Sequence, residues 1–246
     1  MNNQLLKDIP HANTQKNVNK AVFEHLLAEI DTKKTFKWLD IPCGAGELLD
    51  FAHKIYPNAV LNGADIALLT PKRDFVNFKQ VDLSKEIAFE TNEKFDLITS
   101  VSGVMMFGNT QFFVENISQN LAENAKIIIS NDNCFTIRDR LSYLFLGRLR
   151  RFKLFFEKTD GLTQLVPQQE IYRLLDKNNI SVKSVIYTSF YTEDLLFLPF
   201  FLLILPFQYF YLMKIKSEIP KKIRWQMFGW KSLLFRHYFF VGEKNK

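Results

Sequence analysis

Residues 38–49 read WLDIPCGAGELL. An apolar run, a Gly-x-Gly turn and the start of an amphipathic helix follow one another within twelve residues. Gly44 and Gly46 stand where the backbone must turn tightly, and glycine permits positive φ and close approach to a ligand. The chain has only 9 glycines in 246 residues, so two in one turn carry weight. A dinucleotide fingerprint needs a third glycine at position 49, which is Leu49, and a phosphate-binding loop needs Gly-Lys-Ser/Thr, which is absent.

Outward from this turn, short apolar runs alternate with helical periods. Residues 14–31 place Val18, Val22, Leu26, Leu27 and Ile30 on one helical face. Phe36–Ile41, Ala59–Ala64, Phe75–Val81, Phe95–Val101 and Lys126–Ser130 read as strands, with helices over Glu47–Tyr56 and Gln111–Ala122. That alternation predicts an α/β fold with a parallel sheet. The first three strands end in Asp40, Asp65 and Asp82. Ligands of such sheets bind at the carboxyl ends of the strands, although Asp is also an ordinary turn residue.

Several segments resemble, in order and spacing, the motifs of class I S-adenosylmethionine-dependent methyltransferases. Trp38–Gly46 is similar to the first motif, with Pro42 in place of its first glycine. Asp65 lies where the family places the acid that meets the ribose hydroxyls. Val81-Asp82-Leu83 matches the segment beside adenine, Lys94–Ile98 the fourth strand, and His237–Val241 the antiparallel last strand. The resemblance covers roughly residues 14–189 and 233–243. It implies a doubly wound, mostly parallel seven-stranded sheet of Rossmann-like type. The last strand would run antiparallel, with an apolar insertion before it. It also implies S-adenosylmethionine bound by Asp40, Pro42, Cys43, Gly44, Gly46, Asp65, Ile66, Asp82, Leu83 and Ser100. Carboxylates suit a diol and an exocyclic amine, both donors, and tolerate a sulfonium cation. Alignment supplies much of the catalysis of an in-line methyl transfer.

Several positions depart from the pattern. Relatives often carry Glu-His where this chain has Met105-Met106, which removes an obvious general base. The turn before the fifth strand reads Glu123-Asn124-Ala125 instead of a glycine pair. Asp132, after that strand, is either a helix N-cap or a catalytic or substrate-binding group. Asp160 reads as a solvated turn residue. His53 reads as surface and His237 as structural, while His11 precedes the first helix on the side that closes over the cofactor. Cys43 fills a place needing a small side chain, and Cys134 reads as core. Neither has metal-ligand spacing, and two cysteines are too few for a disulfide scaffold. No metal is expected.

Charge and hydropathy add a second theme. The net charge of +6 is uneven: +7 over 214–246 and +5 over 138–158, which leaves the remainder at −6. Leu195–Met213 reads LLFLPFFLLILPFQYFYLM, without charge and with Gln208 as its one strongly polar residue. A membrane span needs about 20 such residues. Pro199 and Pro206 interrupt the run, and the last strand must return to the same sheet, so a re-entrant or interfacial hairpin is expected rather than a span. A buried insertion or a dimer contact is the alternative. Lys214, Lys216, Lys221, Lys222 and Arg224 follow at once, with Trp225 and Trp230. Leu141–Phe156 combines six large apolar residues with Arg148, Arg150, Arg151 and Lys153, as in a basic helix on an anionic membrane surface. No nucleic-acid motif is present.

These features predict a single domain over 1–246, with a cap segment at 134–166 and a membrane-associating insertion at 190–230. The N-terminus has no apolar signal region, so the expected place is cytoplasmic, peripheral to or re-entrant in the inner face of the membrane. The expected activity is O-methylation of a lipid-linked glycan or polyketide-like lipid. A quinone or other prenylated ring, a non-catalytic subunit and an RNA methyltransferase are the alternatives. Oligomeric state stays open.

Overall fold

Each short apolar run of the sequence becomes a sheet strand, and the central strands are buried on both faces. A computed structural model describes residues 9, 14–106, 108–149, 155 and 164–245. The strands are β1 (Lys37–Asp40), β2 (Val60–Asp65), β3 (Val76–Gln80), β4 (Phe95–Ser100), β5 (Leu121–Asp132), β6 (Ile180–Thr188) and β7 (His237–Lys244). They form one sheet in the order β3-β2-β1-β4-β5-β7-β6. Pairings from β3 to β5 are parallel, and β7 runs antiparallel to both β5 and β6.

The helices cover both faces, which is why the strands read as continuous apolar runs. They are α1 (Val18–Glu29), α2 (Glu47–Ile55), α3 (Thr110–Gln119), α4 (Ile137–Leu146), α5 (Gln168–Lys177), α6 (Leu198–Lys214), α7 (Lys221–Phe228) and α8 (Trp230–Leu234), with a 3-10 turn at Thr192–Phe197. The strand period of two separates the cores. Ile127 and Ile129 join Phe113, Val114 and Ile117 of α3 with Ile171 and Leu174 of α5. Ile128 joins Val22 and Phe23 of α1 with Leu48 and Leu49 of α2. Trp38 is wholly buried among Phe23, Phe36 and Tyr56.

Two boundaries differ from expectation. The first helix begins at Val18, after Asn17 in left-handed backbone, rather than at 14. The fifth strand begins at Leu121 instead of Lys126, and the register against β4 jumps between Phe95 and Leu97. The expected turn at 123–125 is therefore an irregularity inside the strand, with Asn124 at φ 59. Asn tolerates the left-handed region, which explains how the chain does without glycine there.

The apolar run also differs. It does not reverse as a hairpin: it forms one helix, α6, entered through the 3-10 turn. Pro199 sits in the first turn, where its missing N–H is no loss, and Pro206 removes one internal bond without ending the helix. Nor is the run a core element. Thr192–Lys214 spans 23 residues, and 11% of its most apolar window is buried. Its polarity is inverted relative to a soluble helix. Gln208 faces inward, accepting from Arg140 and donating to the Phe228 carbonyl, while Leu203, Phe207 and Met213 face outward. Phe201, Ile204 and Leu205 anchor it against Ile137 and Leu233.

Beside it lies α4. The helix expected over 141–156 stops at Gly147, whose φ of 66 makes a left-handed C-cap. Tyr143, Leu144, Phe145 and Leu146 are exposed on it. Arg150, Arg151, Phe152, Lys153 and Phe156 lie outside the described residues, as do His11 and Asp160.

Candidate active site

The carboxyl ends of β1, β2 and β4 open into a cavity of about 430 Å³. This is within the range of small-molecule sites. Asp40, Pro42, Cys43, Gly44 and Asp65 line it, with Thr14, Asn19, Ser102 and Met106. Asp65 ends β2 and organises the glycine turn. Its Oδ2 accepts from the Gly44 N–H at 2.8 Å and its Oδ1 from the Ala67 N–H at 3.0 Å. Gly44 and Gly46 have φ of 54 and 83. A Cβ on Gly46 would sit 2.7 Å from Leu69 Cδ1, whereas one on Gly44 would meet nothing within 4 Å. Gly44 is thus needed for its backbone and Gly46 for both backbone and space.

Asp40 is 2% exposed. Thr99 Oγ1 donates to its Oδ1 at 2.7 Å and itself accepts from Trp38 Nε1 at 2.9 Å. Burial pushes the Asp40 carboxyl up to about 7; the Thr99 bond opposes this and the nearby Asp65 charge adds to it. Cys43 is buried, and that burial pushes its thiol far up, so it stays a neutral spacer against Gly63.

Five of the expected cofactor residues lie outside this cavity. Gly46 shapes the turn behind it. Ile66 points to solvent, its side chain 63% exposed, and Ala67 and Leu68 line the cavity in its place. Asp82 turns back on its own loop, accepting from Ser84 and from Lys85 Nζ at 2.8 Å, and the lysine holds its carboxyl down at about 2. Leu83 is buried in the core. Ser100 is inside β4 and fully buried, and the wall is made two residues later by Ser102.

Ser102 connects the cavity to a buried pair. It takes φ 57, rare for a residue with a side chain. Its hydroxyl lies 2.6 Å from Thr14 Oγ1 and 3.4 Å from His237 Nε2. His237 is wholly buried, with Nδ1 2.9 Å from Asp132 Oδ1 and Nε2 3.1 Å from Ser130 Oγ. With Asp132 accepting from Nδ1–H, Nε2 is left as the acceptor facing Ser102. Asp132 is not a helix cap: Thr136 caps α4, its Oγ1 accepting from the Asp139 N–H. His53 lies on the surface, stacked on Phe75.

Sequence reasoning treated Asp132 and His237 separately. The topology joins them, because an antiparallel β7 begins where the parallel β5 ends, and the register pairs the two residues. Asp132 and Met105 also line a pocket of about 10 Å³, room for about one water.

The model of a methyltransferase-domain family matches residues 11–185. The chain belongs to that family. Its fold places it among the class I S-adenosylmethionine-dependent methyltransferases, and S-adenosylmethionine is the methyl donor. Solved structures share the fold at low identity. A methyltransferase from Archaeoglobus fulgidus is 13% identical, with TM-score 0.56, over 92% of this chain and 94% of its own. The O-methyltransferase of a trans-AT polyketide synthase multienzyme from Brevibacillus brevis, in complex with S-adenosyl-L-homocysteine, is 16% identical, with TM-score 0.56, over 91% and 71%. Phosphoethanolamine N-methyltransferase 2 of Haemonchus contortus, in complex with S-adenosyl-L-methionine, is 15% identical, with TM-score 0.53, over 99% and 56%. No match was found among curated proteins.

Proposed function

We propose that this methyltransferase O-methylates a hydroxyl of a lipid-linked glycan or polyketide-like lipid at the inner face of a membrane. The observation that carries the membrane part is the inverted polarity of α6, whose apolar side chains face out while Gln208 faces in. Contiguous exposed apolar surface of this kind marks membrane or protein contact. The adjoining Tyr143–Leu146 surface of α4 and the lysines at 214, 216, 221 and 222 extend it into an interfacial, basic-rimmed face.

The 430 Å³ cavity suits the cofactor. Asp65 would accept from a diol, the backbone at Ala45 would meet the amino-acid moiety, and Asp40 would face positive charge. Held by these residues, the cofactor would supply an electrophilic methyl group to the acceptor oxygen. Ser102 relays the acceptor's proton. The hydroxyl proton passes to Ser102 Oγ as the Ser102 proton passes to His237 Nε2, and Asp132 stabilises the imidazolium. This arrangement replaces the base missing at Met105-Met106.

The test supplies the purified enzyme with methyl-labelled S-adenosylmethionine and either the lipid or the water-soluble fraction of host cells. Alkali-stable label in the lipid phase is expected, lost in His237→Gln and Ser102→Ala, with the enzyme floating on anionic vesicles in high salt. Label confined to water-soluble products, or an enzyme that never floats, refutes the acceptor class.

A further inference from the structure

A second cavity, of about 600 Å³, lies beneath α6, between it, α7 and the start of α4. It shares no lining residue with the cofactor cavity. Ile204, Leu212, Ile219 and Phe228 give it apolar walls. Its charged lining residues are Arg140 and Arg224, and no carboxylate is among the described lining. Arg140 donates from Nε to the Phe135 carbonyl at 3.0 Å and from Nη2 to Gln208 at 2.7 Å. Arg224 donates from Nη1 to the Ile215 carbonyl at 2.8 Å. Its Nε is buried with no hydrogen-bond partner.

Both guanidinium groups are half-buried, with no carboxylate among the described lining, so an anion there would gain charge-assisted hydrogen bonds, and the apolar walls would gain from covering by an apolar chain. One ligand supplies both: an apolar chain along α6 and an anionic head between the arginines. The mouth supports this. Ser217 is exposed there, and Lys214, Lys216, Lys221 and Lys222 surround it in sequence. The volume suits a single bound molecule.

We propose that this cavity binds one anionic, single-chain amphiphile drawn from the membrane, with its phosphate held by Arg140 and Arg224. The site stands apart from methyl transfer: it holds whether or not the acceptor is a lipid. It gives the membrane-facing surface a defined lipid contact beneath the apolar helix.

Calorimetry on the full chain tests it with dodecyl phosphate below its micellar concentration. Dodecyl maltoside controls for the chain and inorganic phosphate for the head. The expected result is one-to-one binding of dodecyl phosphate, at least about tenfold tighter than either control, since charge-assisted hydrogen bonds discriminate at that level. Arg140→Gln and Arg224→Gln should each weaken it by about tenfold or more. Ser217→Trp, at an exposed mouth position, should block binding while leaving cofactor affinity and thermal stability unchanged, which separates a blocked cavity from a misfolded one. Equal binding of the maltoside, equal binding of inorganic phosphate, or full binding by Ser217→Trp overturns the proposal. Because the readout involves no methyl transfer, failure here is distinct from failure of the proposed acceptor.

Discussion

Lowering the pH from 7 to 5 should weaken S-adenosylmethionine binding steeply, through Asp40. Burial holds this carboxyl at about 7 before the cofactor arrives. A cationic ligand favours the ionised form, so the proton must leave on binding. At pH 7 about half of the population is ionised; at pH 5 about one part in a hundred. The affinity should therefore fall by about fiftyfold across this window, or about 2 kcal/mol. The cofactor's own ammonium, with an ordinary α-amino pKa near 8, stays charged throughout. Isothermal titration at pH 5, 6 and 7 measures this. At pH 6, paired runs in buffers of different ionisation enthalpy should show about 0.9 proton released per cofactor. Asp40→Asn should flatten the profile, weaken binding at pH 7 and abolish the proton release. A wild-type affinity that is level between pH 5 and 7 would refute the argument, because it would mean that Asp40 meets no positive charge.

The same carboxyl sets an unusual stability trend in the cofactor-free enzyme. Its folded pKa of about 7 lies above the ordinary 3.8, so folding takes up a proton and the contribution is fully present below about pH 4. It is lost as pH rises towards 7, and the sign is checked by a melting temperature that falls over that range in the wild type and falls less steeply in Asp40→Asn. Gly63→Val would drive a side chain into Cys43 Sγ and Leu49 Cδ1, each already 3.0 Å from a Cβ at that position. Overpacking costs about 1–3 kcal/mol, and calorimetry should show weaker cofactor binding because the displaced Cys43 carries the glycine turn. Arg236→Met breaks a pair in which Nε and Nη2 donate to Asp194 at 2.6 and 2.7 Å and both side chains are nearly buried. Leaving the buried Asp194 with the half-exposed Arg138, 3.8 Å away, as its remaining partner should cost up to about 3 kcal/mol, seen as a lower melting temperature, with detachment of the 3-10 turn that leads into α6 visible as faster amide exchange there.

Much of the sheet was legible because a buried parallel strand is written as an unbroken apolar run. Phe95–Val101 needed nothing else. The glycine turn was legible because Gly44 and Gly46 meet local backbone demands. What escaped depends on distance in sequence. Ser102 stands beside His237 only because β7 is threaded between β5 and β6. Nothing near either residue announces the other. The cavity wall beside Ile66 and Ser100 is made one and two residues further on, by Ala67 and Ser102, in loops that follow β2 and β4 and carry no strand period to read. Pro199 and Pro206 read as breaks because proline's cost was counted without its position. One falls in a first turn, and the other in a helix long enough to survive a missing bond.

The position of β7 also orders events in time. Until residues 237–244 leave the ribosome, β5 has an open edge and β6 has no neighbour at all, so β6 can join the sheet only through β7. The apolar helix emerges before that clasp, while β6 is still unpaired. Under the proposed membrane docking, nascent protein would meet the lipid surface first and close its sheet second. Docking during synthesis would then shield the outward face of α6 at the stage when open strand edges are most prone to pair with other chains.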